Sequence, residues 1–196
     1  MSGAAIGSTG AGAGEPWREA GDHEFAAELD GVRITPPGRT FTDVASLDLG
    51  GRAVVLRHLG RGHTDNDILV EVPDAAVTFA GDLVEESGPP VFSDAFPLDW
   101  PATLDRLVPL VEGAVVPGHG AVVDRGFVAG QAAMLAGVAR AARDAYGEGR
   151  AVEDAIGDLP LPPEEARDAL TRAYRQLRGD PPYDPPERLR ADLGLA

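Results

Sequence analysis

The chain has 196 residues, 17 Lys+Arg against 32 Asp+Glu, and a formal net charge of −15. That balance argues against a nucleic-acid partner, which needs a basic face, and against electrostatic docking on anionic lipid. The absence of cysteine excludes a disulfide framework, a Cys-type zinc finger, a thiol nucleophile and an iron–sulfur cluster.

Residues 1–14 are mostly Gly, Ala and Ser and carry neither the basic segment nor the apolar core of a signal peptide. They read as a flexible, disordered leader. No apolar run approaches the ~20 residues of a membrane span, so the expected location is the cytoplasm. Glu15 to about Leu29 predicts a short helix with poor apolar spacing, and Thr35 to Gly38 a turn. Ser46–Leu49 and Ala53–Leu59 read as strands around Gly50-Gly51, a hairpin signal. Strand alternation puts Val54, Leu56 and His58 on one face. Ile68–Val72 and Ala75–Ala80 are two further strands, the second closed by Gly81-Asp82. Adjacent antiparallel strands with one buried face are expected.

Ser87 to Pro97 is a Pro- and Gly-rich loop. Asp99 is placed to cap a helix opening at Trp100-Pro101, in which Leu104, Leu107, Val108 and Val111 share a face and Pro109 forces an early end. Ala114–Val116 is a short strand broken by Pro117-Gly118-His119-Gly120. Helical spacing then covers Gly126 to about Tyr146 and Glu164 to about Leu177. The tail beyond Gly179 is Pro-rich. The expected organisation is a leader (1–14), an α+β domain (15–125), and a helical extension with its tail (126–196).

Two of the four histidines, His63 and His119, sit beside glycine in turns just past strand ends, and Asp82 sits likewise after Gly81. Glycine permits close backbone approach, so such side chains can converge. Histidine and carboxylate are the usual ligands of a hydrolytic zinc site where cysteine is lacking. No Gly-x-Ser-x-Gly elbow, phosphate loop or dinucleotide fingerprint is present.

Three segments carry a more specific signal: Gly62-His63-Thr64-Asp65-Asn66-Asp67, Phe79-Ala80-Gly81-Asp82-Leu83 and Val116-Pro117-Gly118-His119-Gly120. In content, order and spacing they resemble the metallo-β-lactamase superfamily of metallo-hydrolases over roughly residues 40–125. The resemblance implies an αββα sandwich with a two-zinc site at one edge of its sheets; iron or manganese suit the same donors. His63 resembles the histidine completing the first metal's ligands. Asp82 resembles the carboxylate bridging both metals and is the expected catalytic residue. His119 resembles the histidine of the second metal. An aspartate at the bridging position is similar to glyoxalase II-type and lactonase-type members.

The family's H-x-H-x-D-H motif does not occur in this sequence, and His23 in Gly21-Asp22-His23-Glu24 does not resemble it. The chain therefore resembles the second half of such an enzyme, a partial sandwich of antiparallel strands followed by helices, and a truncated product is one expectation. His58 reads as a packed histidine and His23 as a surface one. Thr64, Asp65 and Asp67 are open to orienting a ligand or to capping a turn. Glu85 and Glu86 read as a solvated pair, and Trp100 as a packing anchor.

The function this implies is metal-dependent hydrolysis of a small-molecule ester, thioester, lactone or lactam by a metal-activated hydroxide. The alternative is a non-catalytic half-domain acting as an interaction module, whose exposed sheet face calls for a homodimer or a partner chain.

Overall fold

The computed structural model describes residues 14–33, 35 and 37–181, so the leader and most of the Pro-rich tail lie outside the described residues. The chain divides between Phe41 and Thr42 into two compact units. In the first, the stretch expected to hold one helix holds two, α1 (Glu15–Glu19) and α2 (His23–Gly31). Gly21, with φ of 89°, turns the chain between them. The Asp22 side chain accepts the Phe25 N–H and caps α2. Arg18 pairs with Asp30, and Trp17 meets Phe25 edge to face at 4.9 Å.

The second unit is built on a five-stranded sheet in the order β1 (Val44–Asp48), β2 (Ala53–Arg57), β3 (Leu69–Val72), β4 (Val77–Glu85) and β5 (Ala114–His119). The first three pairings are antiparallel, as expected. The fourth, between β4 and β5, is parallel. A parallel pair needs a crossover, here through α3 (Trp100–Leu107). Gly50 and Gly51, at φ of 75° and 96°, make the predicted β1–β2 turn.

Two strands run further than the sequence suggests. β4 does not stop at Gly81-Asp82 but continues to Glu85, with irregular register around Gly81. The bulge breaks the in-out alternation, and Leu83, Val84 and Glu85 are all buried in succession. β5 likewise passes through Pro117 and Gly118 to His119. Proline is tolerated there because β5 is the last strand of the sheet.

One sheet face carries the core. Leu69, Ala80 and Val115 point into it and join Leu104, Leu107 and Val111 around α3, Leu135, Val138 and Ala142 of α4 (Arg125–Gly147), and Leu170 of α6 (Pro163–Arg178). Asp124 caps α4 by accepting the Phe127 N–H. α6 begins with Glu164 and Glu165, carries Arg175 and Arg178 in its last turn, and ends on left-handed Gly179, in keeping with its dipole. Between them α5 (Val152–Ala155) is too short to leave a periodic signal. Asp99 stands at the start of α3 but does not cap it with its side chain. Its carboxylate instead accepts from Gln176 at 3.1 Å and pairs with Arg61 at 2.5 Å.

The opposite face is apolar across all five strands. Ala45, Leu56, Val70, Phe79 and Val116 form one continuous cross-strand row. Leu47 and Phe79 are 40% and 45% exposed. Among the described residues no helix is long and apolar enough to cross a membrane.

Candidate metal centre

Asp82 stands in the bulged part of β4, His119 ends β5, and His63 lies in the loop from β2 to β3. Three distant segments thus meet at one end of the sheet, because β4 and β5 run parallel and finish side by side. Gly62 packs so tightly that a side chain there would collide with Leu83, and its carbonyl accepts the Phe96 N–H at 2.8 Å. That fixes where His63 leaves the loop.

The Asp82 carboxylate faces both histidines, one with each oxygen. Its Oδ2 is 3.9 Å from His63 Nδ1, and its Oδ1 is 3.6 Å from His119 Nε2. The His63 side chain is 16% exposed and edge-on to Trp100 at 5.8 Å, whereas that of His119 is 66% exposed. The site therefore grades from a buried floor at His63 to an open rim at His119.

These donors can be tested against a metal. Zinc bonds of 2.0–2.1 Å place two tetrahedral donors about 3.4 Å apart, near the 3.6 Å between Asp82 and His119 and short of the 3.9 Å between Asp82 and His63. Donor type suits a metal, and so does the spacing of the Asp82–His119 pair. Donor number does not close a site, because each oxygen–histidine pair offers two protein ligands where a catalytic zinc takes three. Among the described residues no group of three or more His, Asp or Glu side chains is arranged around one ion.

Glu85 was not expected here. Read as solvated from sequence, it is 6% exposed, with Oε1 4.0 Å from His63 Nε2. Burial pushes its carboxyl above the usual carboxylate range, and nearby His63 pulls it back. The signal that could have found it is the unbroken Leu83-Val84-Glu85 run, which strict alternation cannot bury. Glu86 is exposed, and its carboxylate accepts the Ala121 N–H at 2.8 Å.

The remaining candidates have structural roles. Asp67 closes the His63 loop by accepting from the Thr64 N–H at 2.9 Å and the Thr64 hydroxyl at 2.7 Å. Asp65 accepts from the Asn66 side chain. His58 is half-buried, with Nδ1 2.9 Å from the Asp67 carbonyl. His23 is exposed at the start of α2. Trp100 is fully buried and donates from its indole N–H to the Leu83 carbonyl at 3.2 Å.

The chain is 34% identical to the metallo-beta-lactamase type 2 of Bacteroides fragilis over 89 residues, 43% of this chain and 36% of that protein. It is 30% identical to that of Bacillus cereus over 90 residues, 43% of this chain and 35% of the relative. The chain thus spans about a third of the length of the curated relatives it matches. Among solved structures, the sec-alkylsulfatase Pisa1 from Pseudomonas sp. superposes with a TM-score of 0.62 at 14% identity, over 84% of this chain and 32% of that one, a likeness of fold. The family model of the metallo-beta-lactamase superfamily matches residues 6–119, more than half of the chain. The chain belongs to the metallo-beta-lactamase superfamily.

Proposed function

We propose that this chain carries the His63–Asp82–His119 part of a metal-dependent hydrolase centre. The observation that supports the reading is the division of Asp82, whose two carboxylate oxygens each face a different histidine. A carboxylate so placed suits two cations side by side. His63, deeper and packed against Trp100, would hold the inner one, and exposed His119 the outer. Water would take the positions that these three leave open. Zinc held there would supply Lewis acidity and would lower the pKa of a bound water to about 7. The proposed substrates are small molecules with an ester, thioester, lactone or lactam carbonyl, which approach over the open His119 rim.

The test is metal counting by plasma mass spectrometry on the 196-residue chain after zinc loading and desalting. About one or two zinc ions per chain are expected, lost in both His63→Ala and His119→Ala. Zinc near zero in the unsubstituted chain overturns the reading.

A second reading, a non-catalytic interaction module, is favoured by the open apolar sheet face bearing Leu47 and Phe79. In that reading the face takes a second copy of this chain or another sheet-bearing partner.

A further inference from the structure

The sequence has no lysine, so all 17 of its cationic residues are arginines. Four of them, Arg61, Arg143, Arg172 and Arg175, line one cavity of about 500 Å³ in the second unit. Among the described residues, Asp99 and Asp180 are the only acids that line it. The cavity wall therefore carries an excess of two positive charges in a chain of net charge −15. It shares no residue with the His63–Asp82–His119 centre.

The arginines reach the cavity from the loop after β2, from α4 and from α6, and the surrounding backbone orients them. Arg172 is 9% exposed; its Nε donates to the Ala95 carbonyl at 3.0 Å and its Nη2 to the Asp94 carbonyl at 2.9 Å. Arg143 is exposed and gives one N–H to the Leu98 carbonyl at 3.1 Å. A carbonyl orients a guanidinium without cancelling its charge. The guanidinium carbons of Arg61 and Arg172 lie 4.6 and 5.7 Å from the centre of the buried Phe96 ring, which attracts both. Gln176 ties the wall together by accepting the Leu98 N–H at 3.0 Å and donating to Asp99 at 3.1 Å. The wall is thus set in advance, which lowers the ordering cost of binding.

Guanidinium groups match phosphate oxygens in pairs, and an excess of two charges matches the dianion of a phosphate monoester. A phosphate group fills only a small part of the cavity, whose volume is that of a small-molecule site. Leu98 and Leu177 supply apolar wall for the rest of a ligand. We infer that this cavity binds a phosphate monoester of a small apolar molecule, with the phosphate among the arginines and the organic part against Leu98 and Leu177.

The experiment is isothermal titration calorimetry of the 196-residue chain with phenyl phosphate at about pH 8, where the ester is a dianion, at fixed ionic strength. A Kd of about 1 mM or tighter is expected. Inorganic phosphate, which leaves the apolar wall empty, and benzoate, with one charge, are both expected to bind more weakly. Arg143→Gln removes an exposed charge and should weaken phenyl phosphate about 3–10-fold with unchanged circular dichroism. Asp99→Asn keeps an oxygen for Arg61 but removes a competing negative charge, and should tighten binding about 2–5-fold. No heat of binding for phenyl phosphate overturns the inference, and so does equal affinity in Arg143→Gln. Inorganic phosphate or benzoate binding as tightly as phenyl phosphate also overturns it. Where Arg143→Gln does not fold, Asp99→Asn decides: unchanged or weaker binding there overturns the inference.

Discussion

The Asp82 carboxylate lies directly against the Cα of Gly118. A methyl group built on Gly118 would overlap Asp82 Oδ1 and come within 2.9 Å of the Asp82 backbone nitrogen. Gly118 is therefore the space into which the central carboxylate of the site fits.

Gly118→Ala should displace that carboxylate from His119. Overpacking of this kind costs about 1–3 kcal/mol, and loss of ligand alignment typically lowers metal affinity about 10–100-fold. Cobalt titration beside a thermal melt checks it. Unchanged metal affinity would show that Asp82 is not held by this contact.

Gln131→Leu should release the end of β4. It strands the buried Glu85 N–H, which Gln131 now satisfies, and takes one of two donors from the Leu83 carbonyl, which keeps the Trp100 indole N–H. An orphaned buried group costs about 1–3 kcal/mol, so a loss of about 1–3 kcal/mol is expected in urea unfolding. A loss under about 0.5 kcal/mol would mean that another group replaces the amide.

The open sheet face makes a prediction about association. Phe79 lies in the middle of an apolar cross-strand row and is 45% exposed. Light scattering should find the chain larger than a monomer, and Phe79→Lys should return it to monomer mass while the melt stays cooperative. A monomeric chain that binds no hydrophobic dye would count against the interaction-module reading.

Tyr174 predicts a pH dependence away from the site. Burial raises its phenol above the ordinary value, and its hydroxyl donates to the Arg150 carbonyl at 3.1 Å. Above about pH 10 the unfolded chain loses this proton before the folded one does, so stability falls as pH rises through that range. Tyr174→Phe should be less stable at neutral pH by about 1 kcal/mol, the worth of the hydrogen bond, and the gap should narrow above about pH 10. Parallel urea curves at both pH values check this; a constant gap would mean the phenol is not perturbed.

Much of this protein is local in origin and so was legible in its residues. Gly50-Gly51 makes the hairpin because both positions need φ > 0. The apolar period of 3.6 marks α4 and α6 because one stripe of each is buried. His63, Asp82 and His119 stand out because each sits beside glycine at the end of an apolar run, and these words carry the family likeness. What the sequence did not disclose depends on neighbours far along the chain. β4 and β5 outrun their apparent stops at Gly81 and Pro117 because each strand pairs with the other, and cross-strand hydrogen bonds outweigh the local breaking tendency of Gly and Pro. Asp99 bonds Gln176 and Arg61 rather than its own helix, a choice made only once α6 packs beside it. Glu85 shows this most sharply: by composition it is one of two adjacent surface acids, and it becomes a buried neighbour of His63 because a bulge at Gly81 shifts the strand's alternation and Gln131, 46 residues away, holds the shifted backbone in place.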